Sequence, residues 1–370
     1  MSDPIRVLHA TGVPEGGVIA LLLSLHEAIN RDAIQFDIIM PDSAPFASAA
    51  TKLEALGGRA YKSPALKYRN LIKLNAYFDS FFREHSEYSI VHTHGVNNAV
   101  VCLRNAKKHG VPHRISHSHG TKYADYPLRA IRNKLLLTGL GRYATGYMAC
   151  SNAAGEFLFG EKHFVLVRNA ISVEKFAYDA DAREKLRQEL GLGSEFVVGN
   201  IGLFRRQKNH CFMIRILKSY LDIYGEGRLL LVGDGKLRSD VERMSEELDV
   251  REHVVFAGMR ADVSELLSAM DVFLMTSFHE GLPITIVEAQ TSGLPCIYSD
   301  AITPEVRLTS LAHQLKLSDS AETWADAINA ARTTPRRSHI EEITAVGYDI
   351  RKSAEELASY YQLITTNAKT

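Results

Sequence analysis

Short apolar runs alternate with longer amphipathic stretches along the chain, and this alternation starts again near the middle. In the first half, the runs predict strands at 5–9, 36–40, 90–94, 113–117 and 146–150. In the second half, they predict strands at 196–201, 228–232, 254–256, 272–275 and 295–298, followed by helices at 321–331 and 350–365. Strands that alternate with helices are typical of parallel sheets with helical crossovers. The pattern therefore predicts an α/β protein with two Rossmann-like domains, joined by a polar segment near 171–181.

Composition limits the classes of function. The chain has 370 residues, of which 46% are hydrophobic, and this is enough for two cores. Because 43 basic residues balance 43 acidic ones, no overall positive field is present and nucleic acid is not an expected partner. The four cysteines form no CxxC pair and are interpreted as reduced thiols. A signal-peptide pattern and membrane-spanning runs are missing, so we expect a cytoplasmic protein, with peripheral contact to the inner membrane face left open.

The strongest candidate for chemistry is the segment 271–300. In open α/β sheets, ligands bind beyond the carboxyl ends of the strands, and here a loop with Glu280 and Gly281 follows an apolar run. Pro283 occupies an expected first helical position, so the new helix would offer its N–H groups to an anion. Glu288 lies about two helical turns after Glu280, and a carboxylate there could accept both hydroxyls of a ribose.

The string HEGLP at 279–283, with Glu288 after it, resembles the nucleotide-sugar signature of retaining family 4 glycosyltransferases. In that family, two glutamates are separated by seven residues, as they are here. The resemblance covers most of the chain and implies a GT-B fold, in which two Rossmann-like domains face each other across a cleft. It implies an acceptor domain at 1–172, completed by a C-terminal helix at about 350–370, and a donor domain at 173–349.

Three further segments of the second half carry the same resemblance. GNIGLFRRQKNH at 199–210 resembles the family's glycine loop, with Lys208 on the lysine that neutralises the donor diphosphate. LLLVGDGKLR at 229–238 matches a strand followed by Gly-Asp-Gly, and VVFAGMR at 254–260 resembles the stretch that receives the base. The family usually has arginine directly after the glycine, but Leu203 follows Gly202 here. Arg205 or Arg206 is therefore the candidate for the missing charge.

In the first half, Gly16 and Gly17 resemble the glycine pair of the first strand–helix turn, although a plain helix start is the alternative. RISHSHGT at 114–121 resembles the strand whose terminal histidine faces the reacting sugar; His119 is favoured, with His117 as the alternative. Ser151 is interpreted as an acceptor contact or as the N-cap of the following helix.

The predicted site is thus a set of residues in both halves. The resemblance implies catalytic roles for His119, Lys208 and Glu280, and acceptor contacts for His94, His117 and Ser151. It implies donor contacts from Gly16, Gly17, Gly202, Arg205, Arg206, Gly233, Gly258, Met259, Arg260, Gly281, Leu282, Pro283 and Glu288.

Two His-x-His pairs raise the question of a metal. Residues two apart on a strand share a face, so His92, His94, His117 and His119 could converge. No carboxylate or thiol accompanies them at ligand spacing, and histidines beside an anionic donor are the simpler interpretation. The prediction is therefore a site without metal.

The stretch 128–143 is both basic and apolar and is predicted to be one helix. It could lie on an anionic membrane surface, but the favoured interpretation places its apolar face against the sheet.

Taken together, the resemblance implies retaining transfer of a sugar from a nucleoside-diphosphate donor, with UDP favoured, to a hydroxyl acceptor. A lipid-linked carrier in capsule or exopolysaccharide synthesis is the candidate acceptor, and the UDP-sugar is a substrate, with no cofactor required. Two alternatives remain open: a UDP-sugar epimerase on the same fold, and a donor-binding accessory subunit without activity, which Leu203 suggests.

Overall fold

The computed structural model describes residues 3–12, 16–43, 46–65, 70–95, 98–124 and 127–367. The chain divides into two compact units. The first comprises Met1–Ile171 and Asp349–Thr370, and the second comprises Ser172–Tyr348. Each unit is built around its own parallel sheet and its own apolar core.

The described part of the first unit has a seven-stranded parallel sheet. Its strands are β1 (Ile5–Thr11), β2 (Ile34–Pro41), β3 (Ala60–Ser63), β4 (Ile90–His94), β5 (His113–Ser118), β6 (Gly146–Ala149) and β7 (Val165–Leu166). They lie in the order β3-β2-β1-β4-β5-β6-β7. The central strands are buried almost throughout, because helices cover both faces of a parallel sheet.

Helices connect these strands: α1 (Gly17–Ala28), α2 (Phe46–Ala55), α3 (Leu71–Glu84), α4 (Ala99–Lys108), α5 (Pro127–Leu136), α6 (Leu140–Tyr143) and α7 (Asn152–Phe159). The prediction of one helix over 128–143 is wrong. The helix ends after Leu136, and Gly139 adopts a left-handed conformation (φ 89°) that starts the short α6. Glycine allows this break because it has no Cβ to clash.

The second unit repeats the architecture. Its described strands are β8 (Val197–Ile201), β9 (Arg228–Val232), β10 (Val254–Gly258), β11 (Val272–Met275), β12 (Cys296–Ser299) and β13 (Ala312–Leu315), in the order β10-β9-β8-β11-β12-β13. Its helices are α8 (Ala180–Glu189), α9 (His210–Tyr224), α10 (Arg238–Glu247), α11 (Val263–Ala269), α12 (Ile284–Thr291), α13 (Ala321–Ala330) and α14 (Ile340–Ala345). Asp271 joins β8 to α8, since it accepts from Arg183 at 2.6 Å and from the Val197 amide at 2.7 Å.

The last helix of the chain, α15 (Ile350–Asn367), belongs to the first unit and packs against α1. Its Tyr361 is fully buried, and the hydroxyl lies 2.7 Å from Nδ1 of His92 on β4. Among the described helices, none combines the length and the apolar character needed to cross a membrane.

The strand order reverses at one point in each sheet, between β1 and β4 and between β8 and β11. Ligands of such sheets bind outside the carboxyl ends of the strands at this switch point. The residues that follow β1, β4, β8 and β11 are therefore the ones to inspect.

Candidate functional site

Lys208 and Glu280 lie together at the switch point of the second unit. A main-chain bond from Phe278 to the Gln207 carbonyl (2.8 Å) ties the loop after β11 to the loop after β8. Glu280 pairs with Lys208 Nζ at 2.8 Å and accepts hydrogen bonds from Ser277 Oγ and Gln207 Nε2, both at 3.0 Å. The carboxylate is thus held by three donors, and both members of the ion pair are largely buried.

Gly202 and Gly233 let the neighbouring loops approach each other closely. Gly233 has φ 134°, and a Cβ there would lie 2.2 Å from the Gly202 carbonyl oxygen. A Cβ on Gly202 would lie 3.2 Å from Cε of Lys208, so the lysine stem passes directly over this glycine. Gly233 therefore needs glycine, whereas a side chain at position 202 would have to displace the flexible lysine stem by a few tenths of an ångström. This close packing brings the Lys208 ammonium to the end of β8.

The helix after Glu280 has an uncapped N-terminus. Pro283 is the N-cap residue of α12 (φ −70°) and not its first helical residue as predicted, and no side chain among the described residues caps the helix. Leu282 is buried, while Gly281 is only partly covered. The Ile286 amide donates to the Pro283 carbonyl at 3.2 Å, so the N–H groups of Ile284 and Thr285, together with the positive end of the helix dipole, are the ones available to an anion.

Glu288 lies on α12, partly buried, and no described residue forms a hydrogen bond or ion pair with its carboxylate. Burial raises the pKa of Glu288 to about 7, and the positive charge of Lys175 opposes this rise. A carboxylate in this state lacks the partners that normally offset desolvation. Two ligand hydroxyls would supply them.

The other residues predicted to contact the donor differ in position and in exposure. The Gly258 carbonyl accepts from the Gly233 amide at 2.8 Å, which places Gly258 beside the glycine loops. Met259 is 67% exposed. Arg260 is engaged with Asp262 and Glu189, each at 2.8 Å. The side chains of Arg205 and Arg206 are exposed, so they do not share the buried position of Lys208.

In the first unit, two predicted contacts have local structural roles. Gly16 (φ 94°) is the N-cap of α1, which begins at Gly17, and both glycines are exposed. Ser151 is the N-cap of α7, and its Oγ accepts from the Ala154 amide at 3.1 Å. The N-cap interpretation of Ser151 is confirmed, and its side chain is 1% exposed.

Five histidines cluster on one face of the first sheet. His9 on β1 pairs in register with His92 on β4, and His94 pairs with His117 on β5. The four predicted imidazoles, His119 among them, converge as the strand spacing implies. The additional member, His9, was missed because one histidine in the run of β1 forms no motif by itself; only the strand register reveals its neighbours.

Ring nitrogens connect the cluster in two chains. Nε2 of His94 lies 2.9 Å from Nδ1 of His9, and Nδ1 of His94 lies 2.9 Å from Nε2 of His119. Nε2 of His92 lies 3.2 Å from Nδ1 of His117. Burial lowers the pKa of all five rings, to about 3 for His9 and to about 4 for His119, so the imidazoles are neutral at pH 7.

The apolar face of α5 does not pack on the sheet, and the favoured interpretation of this stretch is wrong in that respect. Leu128, Ile131 and Leu135 are 78%, 59% and 68% exposed. Their spacing places them on one side of the helix, while the buried residue is Asn133.

Two family models match the chain. The one for glycosyltransferase family 4 covers residues 15–175, and the one for glycosyl transferases group 1 covers residues 195–333. EpsF of Bacillus subtilis, assigned as a glycosyltransferase with no stated donor or acceptor, is 31% identical over 98% of both chains. An Escherichia coli galactosyltransferase that uses UDP-Gal and GlcNAc-diphosphoundecaprenol is 26% identical over 80% of this chain and 79% of its own.

Solved structures share the architecture. Anabaena HepE in complex with UDP and glucose superposes with a TM-score of 0.80 at 19% identity, covering 97% of this chain and 99% of its own. WaaG, a glycosyltransferase of lipopolysaccharide biosynthesis, gives a TM-score of 0.71 at 17% identity, covering 96% and 99%. At these identities the likeness concerns the fold, which is GT-B. The matches along the whole chain place this protein in glycosyltransferase family 4, and it is a glycosyltransferase of polysaccharide synthesis.

Proposed function

We propose that the protein transfers a sugar from a UDP-sugar to a hydroxyl of a lipid-linked acceptor, with retention of the anomeric configuration. The observation that carries the proposal is the Lys208–Glu280 pair beside the uncapped start of α12. The relative that uses UDP-Gal and a diphosphoundecaprenol-linked acceptor supports the choice of both substrates.

The departing diphosphate needs positive charge where its negative charge develops. Lys208 and the N–H groups at the start of α12 supply it, and each such preorganised group contributes about 3 kcal/mol, or about a hundred-fold in rate. Lys208 would turn from Glu280 to the diphosphate when the donor binds. Ser277 and Gln207 would then keep Glu280 in place, where it accepts hydroxyls of the donor sugar.

Glu288 would bind the ribose, since its carboxylate lacks partners and two hydroxyl donors would offset its desolvation. Gly202, Gly233, Gly258 and Gly281 would let the nucleotide approach the main chain. His119 and the neighbouring His117 would face the reacting sugar, and the diphosphate would take the acceptor proton.

Helix α5 would hold the protein at an anionic membrane, at the inner face where lipid-linked sugars are extended. Its exposed apolar residues are interleaved with Arg129, Arg132 and Lys134. An amphipathic helix of this kind binds through its apolar side and its attraction to acidic lipids. The test is co-sedimentation with vesicles that contain phosphatidylglycerol.

In that assay, Leu128→Ser/Ile131→Ser/Leu135→Ser should reduce vesicle binding at least tenfold. Ile72→Ser on α3 is the matched control, because Ile72 is 88% exposed and lies on a different helix. Equal binding by the triple variant and the control would remove α5 from the proposal.

The activity is tested with a panel of UDP-, GDP- and ADP-sugars. A donor at a hundred times its dissociation constant should add about 2.7 kcal/mol to the stability of the protein. Transfer to a diphosphoundecaprenol-linked sugar should require Glu280 and be lost in Glu280→Gln, but not in the exposed control Glu341→Gln. Interconversion of the UDP-sugar without acceptor would identify an epimerase, and no response to any nucleotide sugar would refute the proposal.

A further inference from the structure

The histidine cluster of the first unit, His9, His92, His94, His117 and His119, contains ring nitrogens that take part in no hydrogen bond. Among the described residues, Nε2 of His9, Nε2 of His117 and Nδ1 of His119 are buried without a hydrogen-bond partner. His9 is 0% exposed and His117 is 2% exposed, so water does not readily satisfy these atoms. A buried polar atom without a partner loses its hydrogen bonds to water and gains none in return, which makes this arrangement unfavourable as pure packing.

Two triplets of these rings converge. In each triplet, one nitrogen per ring lies within 4.8 Å of the others; the triplets are His9/His92/His94 and His94/His117/His119. A tetrahedral ion with bonds of about 2.0 Å holds its ligand nitrogens about 3.3 Å apart. Small side-chain rotations would therefore bring either set to ligand distance.

The second triplet has an access route and the first does not. His9, His92 and His94 are all at most 5% exposed, whereas His119 is only partly buried and follows the end of β5. An ion can reach the carboxyl end of β5 beside His119 without unfolding the core. We propose that His94, His117 and His119 form a binding site for a divalent transition-metal ion that prefers nitrogen ligands, such as Zn²⁺.

The remaining two histidines fit the role of outer partners. If Nδ1 of His94 binds the ion, its Nε2 carries the proton and donates to Nδ1 of His9, 2.9 Å away. If Nε2 of His117 binds, its Nδ1 donates to Nε2 of His92 at 3.2 Å, and His92 in turn donates to Tyr361 Oη at 2.7 Å. His94 and His117 thus each have a second-layer acceptor that fixes the tautomer, as metal-binding histidines require, and the side chain of His119 is hydrogen-bonded to Asn169.

The protonation state of the three rings also allows metal binding. Burial lowers the pKa of His94, His117 and His119, so each ring is neutral and offers a lone pair at pH 7. Imidazole suits Zn²⁺, Cu²⁺ and Ni²⁺ and is a poor ligand for Mg²⁺ and Ca²⁺, which prefer oxygen. Binding requires two changes. The 2.9 Å contact between His94 Nδ1 and His119 Nε2 must be replaced by bonds to the ion. The rings of His117 and His119, now stacked with centroids 4.0 Å apart, must tilt so that both point at the ion.

Three protein ligands leave a fourth position for water or for a hydroxyl oxygen. This differs from the metal-free site that the sequence favoured. The sequence argument was that no carboxylate or thiol accompanies the four histidines at ligand spacing, whereas the structure brings three imidazoles together and adds His9 and His92 as outer partners. The proposal does not rest on the donor residues of the second unit, because all of its ligands lie in the first unit, although two of them, His117 and His119, are the residues proposed above to face the reacting sugar.

The test is metal binding by the full-length protein, without a histidine tag and after treatment with a chelator. Titration with Co²⁺ should give one equivalent of bound ion with the intense visible bands of a four-coordinate site, and Zn²⁺ should displace it. His117→Gln and His119→Gln should each weaken binding at least a hundred-fold. His9→Gln should weaken it about ten- to a hundred-fold, since it removes a second-layer partner.

The matched control is His163→Gln, because His163 is exposed in the same unit and lies outside the cluster. Circular dichroism checks that each variant folds. X-ray absorption of the Zn²⁺-loaded wild type gives a result that does not depend on any variant, and a first shell with three imidazoles is expected. Binding no tighter than that of a double His117→Gln/His119→Gln variant, or a first shell without imidazole, would overturn the proposal.

Discussion

Replacement of Glu288 by glutamine should stabilise the second unit at high pH while it weakens donor binding. The carboxyl group of Glu288 is isosteric with the glutamine amide, so packing is preserved. Burial raises the pKa of Glu288 to about 7 from an ordinary 4.5. The folded protein therefore disfavours the carboxylate, and a side chain that never ionises avoids this cost.

The sign and size follow from linkage. Because the pKa is raised in the folded state, the carboxyl group contributes stability below pH 4.5, and this contribution is lost as the pH rises through about 7. Each tenfold change in proton affinity is worth about 1.4 kcal/mol, which gives an upper bound of about 3 kcal/mol. Since Glu288 retains some contact with solvent, we expect Glu288→Gln to gain about 1–2 kcal/mol at pH 8 and little at pH 4.5.

The chain offers a clean reporter for this measurement. Trp324 is the single tryptophan of the sequence, and it is fully buried in the core of the second unit, the unit that contains Glu288. Urea unfolding followed by tryptophan fluorescence at pH 4.5 and 8 therefore reports the stability of this unit alone. In the control variant Glu341→Gln, whose side chain is exposed, the change in the free energy of unfolding relative to the wild type should be the same at both pH values.

Addition of UDP separates stability from function. The wild type should gain stability from UDP at pH 8, and Glu288→Gln should gain less, because an amide offers one acceptor oxygen where the carboxylate offers two. A Glu288→Gln variant that is less stable than the wild type at pH 8 would refute the reasoning, since it would mean that the carboxylate already has a stabilising partner. If Glu288→Gln raised the free energy of unfolding equally at pH 4.5 and pH 8, the raised pKa assigned to Glu288 would be refuted.

Three further changes test other parts of the molecule. Lys208→Met should lower transfer about a hundred-fold by removing charge at the diphosphate, whereas Lys218→Met on the exposed side of α9 should not; equal rates would refute the role of Lys208. Ser151→Ala should lower the stability of the first unit by about 1 kcal/mol in a thermal melt, and no change would mean that the cap is replaced by water. Leu203→Arg should change transfer less than tenfold; a gain far above this would support a degenerate accessory subunit.

The sequence predicted the long elements well because their apolar runs are buried on both faces. The strands at β4, β9 and β11 were predicted with the bounds that the structure has. The strands it missed, β3, β7 and β13, have little apolar signal. β7 has two residues, and β13 has two exposed residues among its four.

Helix α8 was not predicted, for the same reason: the sequence indicated a polar junction near 171–181, which overlaps only the first turn of this helix. Its contacts depend on Arg187, whose guanidinium donates to the Ala269 carbonyl at 2.9 Å, and on Arg183, which binds Asp271. A helix that is fixed by buried arginines is indistinguishable from a linker in a hydrophobicity pattern. The break at Gly139 was missed because glycine inside a helical pattern is often tolerated.

For the candidate site, the sequence indicated which residue types belong together but not how they are partnered. Lys208 and Glu280 were predicted as separate contacts, and their 2.8 Å ion pair depends on a main-chain bond between two loops. The unpartnered state of Glu288 also depends on burial, which no local pattern encodes. The apolar face of α5 was predicted to pack against the sheet, but it is exposed. An amphipathic pattern does not indicate what covers its apolar side.

The position of Lys208 also bears on the missing arginine at Leu203. The loop after β8 folds so that Phe204 is fully buried and stacks on His210, with ring centroids 4.2 Å apart. This fixes the short helical turn that follows and carries the stem of Lys208 back over Gly202. A positive charge therefore stands at the end of β8 without an arginine after the glycine. Because one cation already occupies this position, a second would be placed beside a like charge, and its added attraction for the diphosphate would be partly offset by repulsion from Lys208. Leucine at position 203 is thus compatible with an active donor site.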